Sequence, residues 1–595
     1  MPNRRQLLSA ISALAVGTPV FHRALVAAVV QDEDGKLTKE SLADAQWVCG
    51  LELSEEQQET VLKSVNANRG RLEPMREMAI SELQSPPFHF TPLTKKPAVA
   101  GEPDRSIRLT ESSVGKLPES DEEIAFLSVT ELAPLLQSRQ LTSRRLTEIY
   151  LGRLKKYGDM LHCVVSLLEE SALERADAMD NEIALGRYRG PLHGIPWGAK
   201  DLIDIRGTNT SWGIPHHENR ESETTATVAE RLDAAGAVLV AKLSLGALAQ
   251  GDKWFRGKTR NPWNPKTGSS GSSAGSASAV VAGLVGFTLG SETLGSITSP
   301  SRVCGATGFR PTFGRVSRHG CMPLSWTMDK IGPLCRCAED AAVVFNAIHG
   351  SDGRDQSVQS YPFRWPMRVD FEGLRVGYKS RRKTKLSDTL TTLKKLGCEL
   401  IEFELPVFDS MFAMTTIIDV EAASVFDRLL RDGHTEGWNT WTESFQSAQF
   451  VSAVDYLRLQ RHRVELMEEM EKKMAEVDVL VDVRDVFHTN FSGHPSIVFP
   501  TGYKDRKSGA KTPICSTFTG QLGDDDRLLA IAHQFQLQID AHLKHPDLDP
   551  WLEKFEDGTL DEQPKEKSKE MPKEKPEGDV KKKKKYKKAA RKKSK

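Results

Sequence analysis

At 595 residues the chain is longer than one hydrophobic core usually holds, so a large domain with appendages, or two domains, is the starting expectation. An apolar content of 39% with 7% aromatics suits a soluble globular body rather than a chain unstructured throughout. The 81 Lys and Arg balance the 81 Asp and Glu, but that zero hides an uneven distribution along the chain.

The start reads MPNRRQLLSAISALAVGTPVFHRALVAAVV. Arg4 and Arg5 precede an apolar run, Leu7 to Phe21, that Gly17 and Pro19 interrupt, too short for a membrane-crossing helix of about 20 apolar residues. A basic start, a weakly apolar middle and small residues at Val26-Ala27-Ala28 suit an export signal over residues 1–28, the arginine pair pointing to the twin-arginine route. The alternative is a frayed amphipathic N-terminus on a cytoplasmic protein. Export of an already folded chain does not need disulfides. Cys49, Cys163, Cys304, Cys321, Cys335, Cys337, Cys398 and Cys515 are scattered, and Cys335-Arg336-Cys337 lacks the two-residue gap of a redox or zinc pair, so all eight read as free, mostly packed thiols.

Residues 29–118 read as a helical extension followed by a Pro-rich linker, QSPPFHFTPLTKKPAVAGEPD. The main body is expected over 119–548. LSVTELAPLLQSRQLTSRRLTEIYLGRLKKY gives two amphipathic helices; GIPWGAKDLIDI and AVLVAKL read as strands, and TVAERLDAAG as a helix ended by Gly236. SASAVVAGLV is a small-residue helix and GFTLG a strand. LRVGYKS, LTTLKKLG and CELIEFELP form a strand–helix–strand unit, and VDVLVDV, HPSIVFPTGY and ICSTFTG supply further strands before the helix DRLLAIAHQFQLQIDAHL. Interleaved strands and helices without a fixed repeat predict an α/β fold, a single large domain whose mixed central sheet is covered by helices. Over 549–595 a disordered charged tail is expected, its composition changing most sharply from Asp557 and ending in KKKKKYKKAARKKSK. Such a tail can contact an anionic polymer or a membrane surface, or serve only to solubilise.

The stretch TGSSGSSAGSASA, Thr267–Ala279, crowds six serines among glycines and alanines, and a serine nucleophile needs a neighbouring base. Gly271–Gly275 satisfies G-x-S-x-G with Ser273 central, yet the preceding KTRNPWNPKTGS is turn-rich, whereas a nucleophile elbow needs a strand running into it. A phosphate loop is disfavoured because the G-K-[ST] ending is missing. A lysine base suits the chain better. Lys200 lies in an apolar strand, where desolvation lowers its pKa, and Ser296 follows Leu294-Gly295, a turn whose N–H groups can form an oxyanion hole. His193, His216, His217, His488 and His494 show no metal spacing and read as structural.

Taken together, GIPWGAKD, TGSSGSSAGSASAVVAG, GSETLGSITSPSRVCGATGFRPTFGRVSRHG and NFSGHPSIVFPTG resemble the amidase signature family, which includes amidases and the A subunit of tRNA-dependent amidotransferases. The resemblance runs from about Ile124 to about His545. It implies a Ser-Ser-Lys triad of Lys200 as base, Ser272 as bridge, within a cis peptide, and Ser296 as nucleophile, with the backbone N–H groups of Thr293, Leu294, Gly295 and Ser296 as oxyanion hole. Ser273 is then a supporting residue, and Ser269, Ser270, Ser276 and Ser278 are structural hydrogen bonders. No metal or organic cofactor is implied. The commonest family form is Ser-Asp-Thr-Gly-Gly-Ser-Ile-Arg, where this chain has Ser291-Glu292-Thr293-Leu294-Gly295-Ser296-Ile297-Thr298. Leu294 replaces a glycine, so it is expected to keep φ below zero or lean on a packed pocket. Thr298 replaces an arginine of the usual charge network, and Ser270 and Ala274 also stand for glycines.

The activity so implied is cleavage of a carboxylic amide other than a peptide bond, through an acyl-enzyme, on a small-molecule substrate. A homodimer is compatible with the reading, and no specific nucleic-acid recognition is expected. The alternatives are a glutaminase like that of the tRNA-dependent amidotransferases, and a non-catalytic binding protein on the same fold. Met411–Ser452 is expected to supply part of the pocket wall.

Overall fold

The computed structural model describes residues 36–77, 107–110, 116–379, 386–407, 411–483, 485–506 and 510–561. The expected export signal, the Pro-rich linker and the Lys-rich end lie outside these residues. Among the described residues eleven strands form one mixed sheet: β1 (Val164–Leu167), β2 (Pro196–Lys200), β3 (Val238–Leu243), β4 (Phe287–Glu292), β5 (Thr307–Arg310), β6 (Lys330–Cys335), β7 (Arg375–Tyr378), β8 (Glu399–Glu402), β9 (Val479–Val481), β10 (Ser496–Asp505) and β11 (Lys511–Thr519). Their order across the sheet is β1-β3-β2-β4-β6-β5-β10-β11-β9-β7-β8. β3, β2 and β4 run parallel, as do β9, β7 and β8, and the strands between alternate in direction.

The central strands are apolar on both faces, as burial on both sides requires. Val238 and Val240 of β3 enter one core cluster, while Trp197 and Ala199 of β2 with Phe287 and Leu289 of β4 enter the other. The covering helices begin where side chains can satisfy their first N–H groups. Ser128 accepts from Glu131 N at 3.2 Å, and the Glu131 carboxylate accepts from Ser128 N at 2.8 Å, a reciprocal cap on the helix Val129–Gln137.

The N-terminal extension folds as α1 (Lys39–Cys49) and α2 (Glu55–Glu77). Leu42, Leu51, Leu53, Val61 and Val65 close a small core of their own with Phe450, so the pair sits on the body. The helices that bear on the site are α3 (Ser143–Leu161), α4 (Ala274–Val281), α5 (Thr298–Cys304), α6 (Thr415–Arg431), α7 (Trp441–Ala448), α8 (Ala453–Met474), α9 (Phe487–Phe491) and α10 (Asp525–Gln536). The expected start of the charged tail at 549 is corrected. Asp549–Glu556 forms a further helix, α11, flanked by Leu548 and Leu560, which are buried in the same core cluster as Val238 and Val240. Lys156 Nζ and Tyr157 Oη of α3 both donate to Asp549 Oδ1, at 2.7 Å each. All eight cysteines are free thiols.

Candidate active site

Lys200 is the last residue of β2, and the strands on either side, β3 and β4, close it off from water completely. Its Nζ donates to Ser272 Oγ and Ser291 Oγ at 2.8 Å each, and to Ser273 Oγ at 3.2 Å. Three hydroxyls and the Ser291 carbonyl therefore surround an amine that no carboxylate among the described residues touches. Loss of water disfavours the ammonium, the nearby Asp329 and Glu292 oppose that loss, and the balance pushes Lys200 down to about 7.

The serine-rich loop reaches this amine because its backbone packs where side chains cannot. A Cβ on Gly271 would lie 1.8 Å from the Gly251 carbonyl oxygen, and the Gly271–Ser272 peptide is cis. Ser270, at a family glycine position, has φ +61 and donates its N–H to Asp252 Oδ2 at 3.1 Å. The remaining serines spend their hydroxyls on structure. Ser269 Oγ donates to Ser270 O, Ser276 Oγ to Leu289 O and Ser278 Oγ to Arg260 O. Ser273 Oγ takes the Ser291 N–H as well as the lysine, stitching loop to strand.

Ser296 sits on the turn after β4, half-buried, and its carbonyl accepts the Ser273 N–H at 3.0 Å. The two serine loops are thus tied through backbone, but the Ser296 hydroxyl has no hydrogen-bond partner among the described residues, so no Ser272–Ser296 hydroxyl bond is closed. Gly295 takes φ +95, which turns the chain back into α5. The N–H groups of Leu294, Gly295 and Ser296 have no partner among the described residues, whereas those of Ile297 and Thr298 are held at 2.8 Å by Glu292 Oε2. Leu294 avoids the left-handed region and leans on the main core.

Sequence reasoning missed the group that holds this turn. The other Glu292 oxygen accepts from Arg310 Nη1 at 2.7 Å and from Asn490 Nδ2 at 2.9 Å. Burial pushes the Glu292 carboxyl up, but the Arg310 charge and the Thr298 N–H outweigh it and hold the group down at about 2. Arg310, from β5, thus supplies a guanidinium to a site whose Thr298 stands in the usual arginine position. The signal was on view in GATGFRPT, an arginine inside an apolar strand. Thr293 Oγ1 donates to Asp329 Oδ1 at 2.5 Å, and Asp329 also accepts from the Leu324 and Ser325 N–H groups.

A cavity of about 290 Å³ opens beside the lysine, and Ser291 belongs to both. Apolar residues Leu202, Met322, Pro323, Leu324, Trp326 and Ile331 line much of it, with Thr293 and Asp329 at the turn. None of its walls comes from Met411–Ser452, contrary to expectation. That segment acts one layer back, where Glu421 of α6 accepts from Ser325 Oγ at 2.6 Å, Thr327 Oγ1 at 2.8 Å and Tyr456 Oη at 2.8 Å. The cavity loop is thereby pinned to α6 and α8.

The histidines stand apart from the triad. His193 bonds Arg189 N and Met179 O, His216 stacks on His434 with His217 beside it, and His494 bonds Ser492 Oγ. His488 bonds Asp485 Oδ2 and, at 2.8 Å, Pro406 O. Both of these partners are acceptors, so the ring donates from both nitrogens and is an imidazolium.

The family model described as Amidase matches residues 145–483. The chain is 30% identical over 485 residues to the A subunit of the Glutamyl-tRNA(Gln) amidotransferase of Coxiella burnetii, covering 71% of this chain and 99% of that one. It is 32% identical over 478 residues to the putative amidase AmiD of Mycobacterium tuberculosis, covering 74% of this chain and all of that one. The crystal structure of the native peptide amidase from Stenotrophomonas maltophilia superposes with a TM-score of 0.63 at 27% identity, over 71% of this chain and 98% of that one.

Proposed function

Because the chain belongs to the amidase signature family of amide-hydrolysing enzymes, we propose that it cleaves a small-molecule carboxylic amide, other than a peptide bond, through a Lys200–Ser272–Ser296 relay. Neutral Lys200 takes the Ser272 proton as Ser272 takes that of Ser296. Ser296 Oγ then attacks the amide carbonyl. The N–H groups of Leu294, Gly295 and Ser296, which have no partner among the described residues, receive the oxyanion, with Thr293 completing the turn. Ser272 passes its proton to the leaving amine, and water releases the acyl group from Ser296. Catalytic hydrogen bonds often tighten only with substrate bound, so the open Ser272–Ser296 link is compatible with the relay.

The observation that carries this reading is the amine at Lys200: buried, hydroxyl-ringed and brought down to about 7. Lys330 is also buried with its pKa held down by desolvation, so it is the ring of serine hydroxyls that sets Lys200 apart. A fluorophosphonate probe tests it. Labelling is expected to vanish in Ser296→Ala and persist in Ser273→Ala; labelling lost only in Ser273→Ala would reinstate the elbow reading. The similarity to an amidotransferase supports glutaminase turnover as the second reading, and strict dependence of turnover on an added partner protein would favour it. Export by the twin-arginine route belongs to the same proposal, resting on Arg4-Arg5 and the segment after them. Fractionation of cells carrying the Arg4→Lys/Arg5→Lys chain tests that part, with retention in the cytoplasm expected.

A further inference from the structure

In the cavity of about 290 Å³ beside Lys200 the charges are already spent, while one aromatic ring is not. Among the described residues the charged lining groups are Arg318, Arg354, Asp329 and Asp355. Arg318 donates to Asp355 through Nε at 2.8 Å and Nη2 at 3.1 Å, and to Ser357 Oγ at 2.8 Å. Its Nη1 donates to the Trp326 carbonyl. Arg354 bonds Glu230 through both Nη atoms, and its Nε lies 3.4 Å from an Asp352 oxygen. Asp329 holds the Thr293 hydroxyl and two backbone N–H groups. A carboxylate or ammonium brought in by a substrate would therefore meet no free countercharge on these four residues, and a charge buried without one is costly.

The apolar lining is different. Leu202, Met322, Leu324 and Ile331 are buried, whereas Trp326 keeps 43% of its surface open. Its loop is nonetheless held on both sides of the ring. Ser325 Oγ and Thr327 Oγ1 donate to Glu421 of α6 at 2.6 and 2.8 Å, and Arg463 of α8 donates to the Thr327 carbonyl at 2.9 Å. An indole on a fixed loop loses little freedom when a flat group lands on it, so the contact is retained as affinity. An apolar cavity of about 150 Å³ takes benzene. One of about 290 Å³ takes a single ring, its carboxamide and a few further atoms.

On the amide-cleaving reading, from which this follows, we propose that the cavity selects an uncharged amide bearing one aromatic ring, and that Trp326 recognises that ring by stacking. Glutamine, charged at both its amino and carboxylate groups, is then a poor substrate.

The test measures kcat/KM of the full chain on benzamide, acetanilide, propionamide, 4-carbamoylbenzoate and L-glutamine. A ring-bearing neutral amide is expected to lead, with both charged amides about 10²-fold or more below it. Whether benzamide or acetanilide leads assigns the ring to the acyl or the amine side, and either supports the selection. Trp326→Leu is expected to lower kcat/KM for the leading amide about tenfold, near the upper end of what one ring–ring contact supplies, and to leave propionamide within about twofold. Trp326→Phe, which keeps a ring, is expected to recover most of the loss. An equal fall for propionamide, no fall for the ring-bearing amides, or a charged amide turned over as well as they are would overturn the proposal. Calorimetric titration of Ser296→Ala with the same amides separates it from the reading beneath it. Ring-selective binding that is lost in Ser296→Ala/Trp326→Leu, found with no turnover by the parent, would support the selection and refute only the cleavage. Binding that does not favour the ring would overturn the selection whatever the turnover.

Discussion

Replacing Lys200 with methionine keeps most of the side-chain volume and removes the amine, and it is expected to separate activity from stability. The fall from an ordinary 10.5 to about 7 means that the unfolded chain holds a proton that the folded chain half releases at pH 7. At about 1.4 kcal/mol per tenfold, this disfavours folding by about 4 kcal/mol at pH 7. Between pH 7 and about 10.5 the unfolded state binds more protons, so this handicap is full below about 7 and gone above about 10.5. The variant removes it but also forfeits bonds to Ser272, Ser273 and Ser291, about 1 kcal/mol each. The variant is thus about 1 kcal/mol more stable than the parent at pH 7 and about 3 kcal/mol less stable near pH 10.5. Groups titrating in both proteins cancel in the comparison. Urea unfolding at the two pH values reads the difference, and turnover is expected to fall by about 10²–10⁴-fold. A difference that does not change with pH would refute the buried-amine argument.

Arg310→Met leaves Glu292 buried without its guanidinium and is expected to destabilise the fold by about 3–5 kcal/mol, read by chemical denaturation; parent-like stability would remove Arg310 from the account. Cys321→Phe projects a ring into the 290 Å³ cavity. It is expected to lower kcat/KM for amides with bulky groups while sparing the smallest, and equal losses across a size series would count against the cavity as the substrate pocket. At His488, burial favours the neutral ring, but the Asp485 bond and charge outweigh it, leaving its pKa raised while that of Asp485 is lowered. The histidine's contribution is present below about 6.5 and lost as pH rises through its folded value; the aspartate's is present above about 3.9 and lost as pH falls. His488→Gln is therefore expected to cost more stability at pH 6 than at pH 9, as melting temperatures at both would reveal; equal costs would mean that the ring is not an imidazolium.

The parts of the site that are contiguous in sequence were readable there. GIPWGAKD places one lysine inside an apolar strand, which points to a desolvated amine at Lys200, whereas Ser272 is singled out from the other serines of TGSSGSSAG only by the family resemblance. Arg310 was not legible as a partner of Glu292, because the β4-β6-β5 order that joins them is a property of the folded sheet. Asn490 is further off still, 198 residues from the carboxylate it meets. Glu421 reads as one more acid on an amphipathic helix, and only packing of α6 against the cavity loop gives it Ser325 and Thr327. DPWLEKFE carries enough charge to pass for tail, yet the burial of Leu548 and Leu560 around it depends on a core built elsewhere.

The central claim is that a neutral amine at position 200 works through Ser272 to make Ser296 the residue that carries the acyl group. Rapid acid quench of the enzyme with an activated amide, followed by peptide mapping by mass spectrometry, reads that directly. An acyl adduct on Ser296, accumulating more slowly below pH 7 and absent in Lys200→Met, is the predicted result. An adduct on Ser272 or Ser273 instead, or one on Ser296 that forms at the parent rate without the lysine, would contradict it.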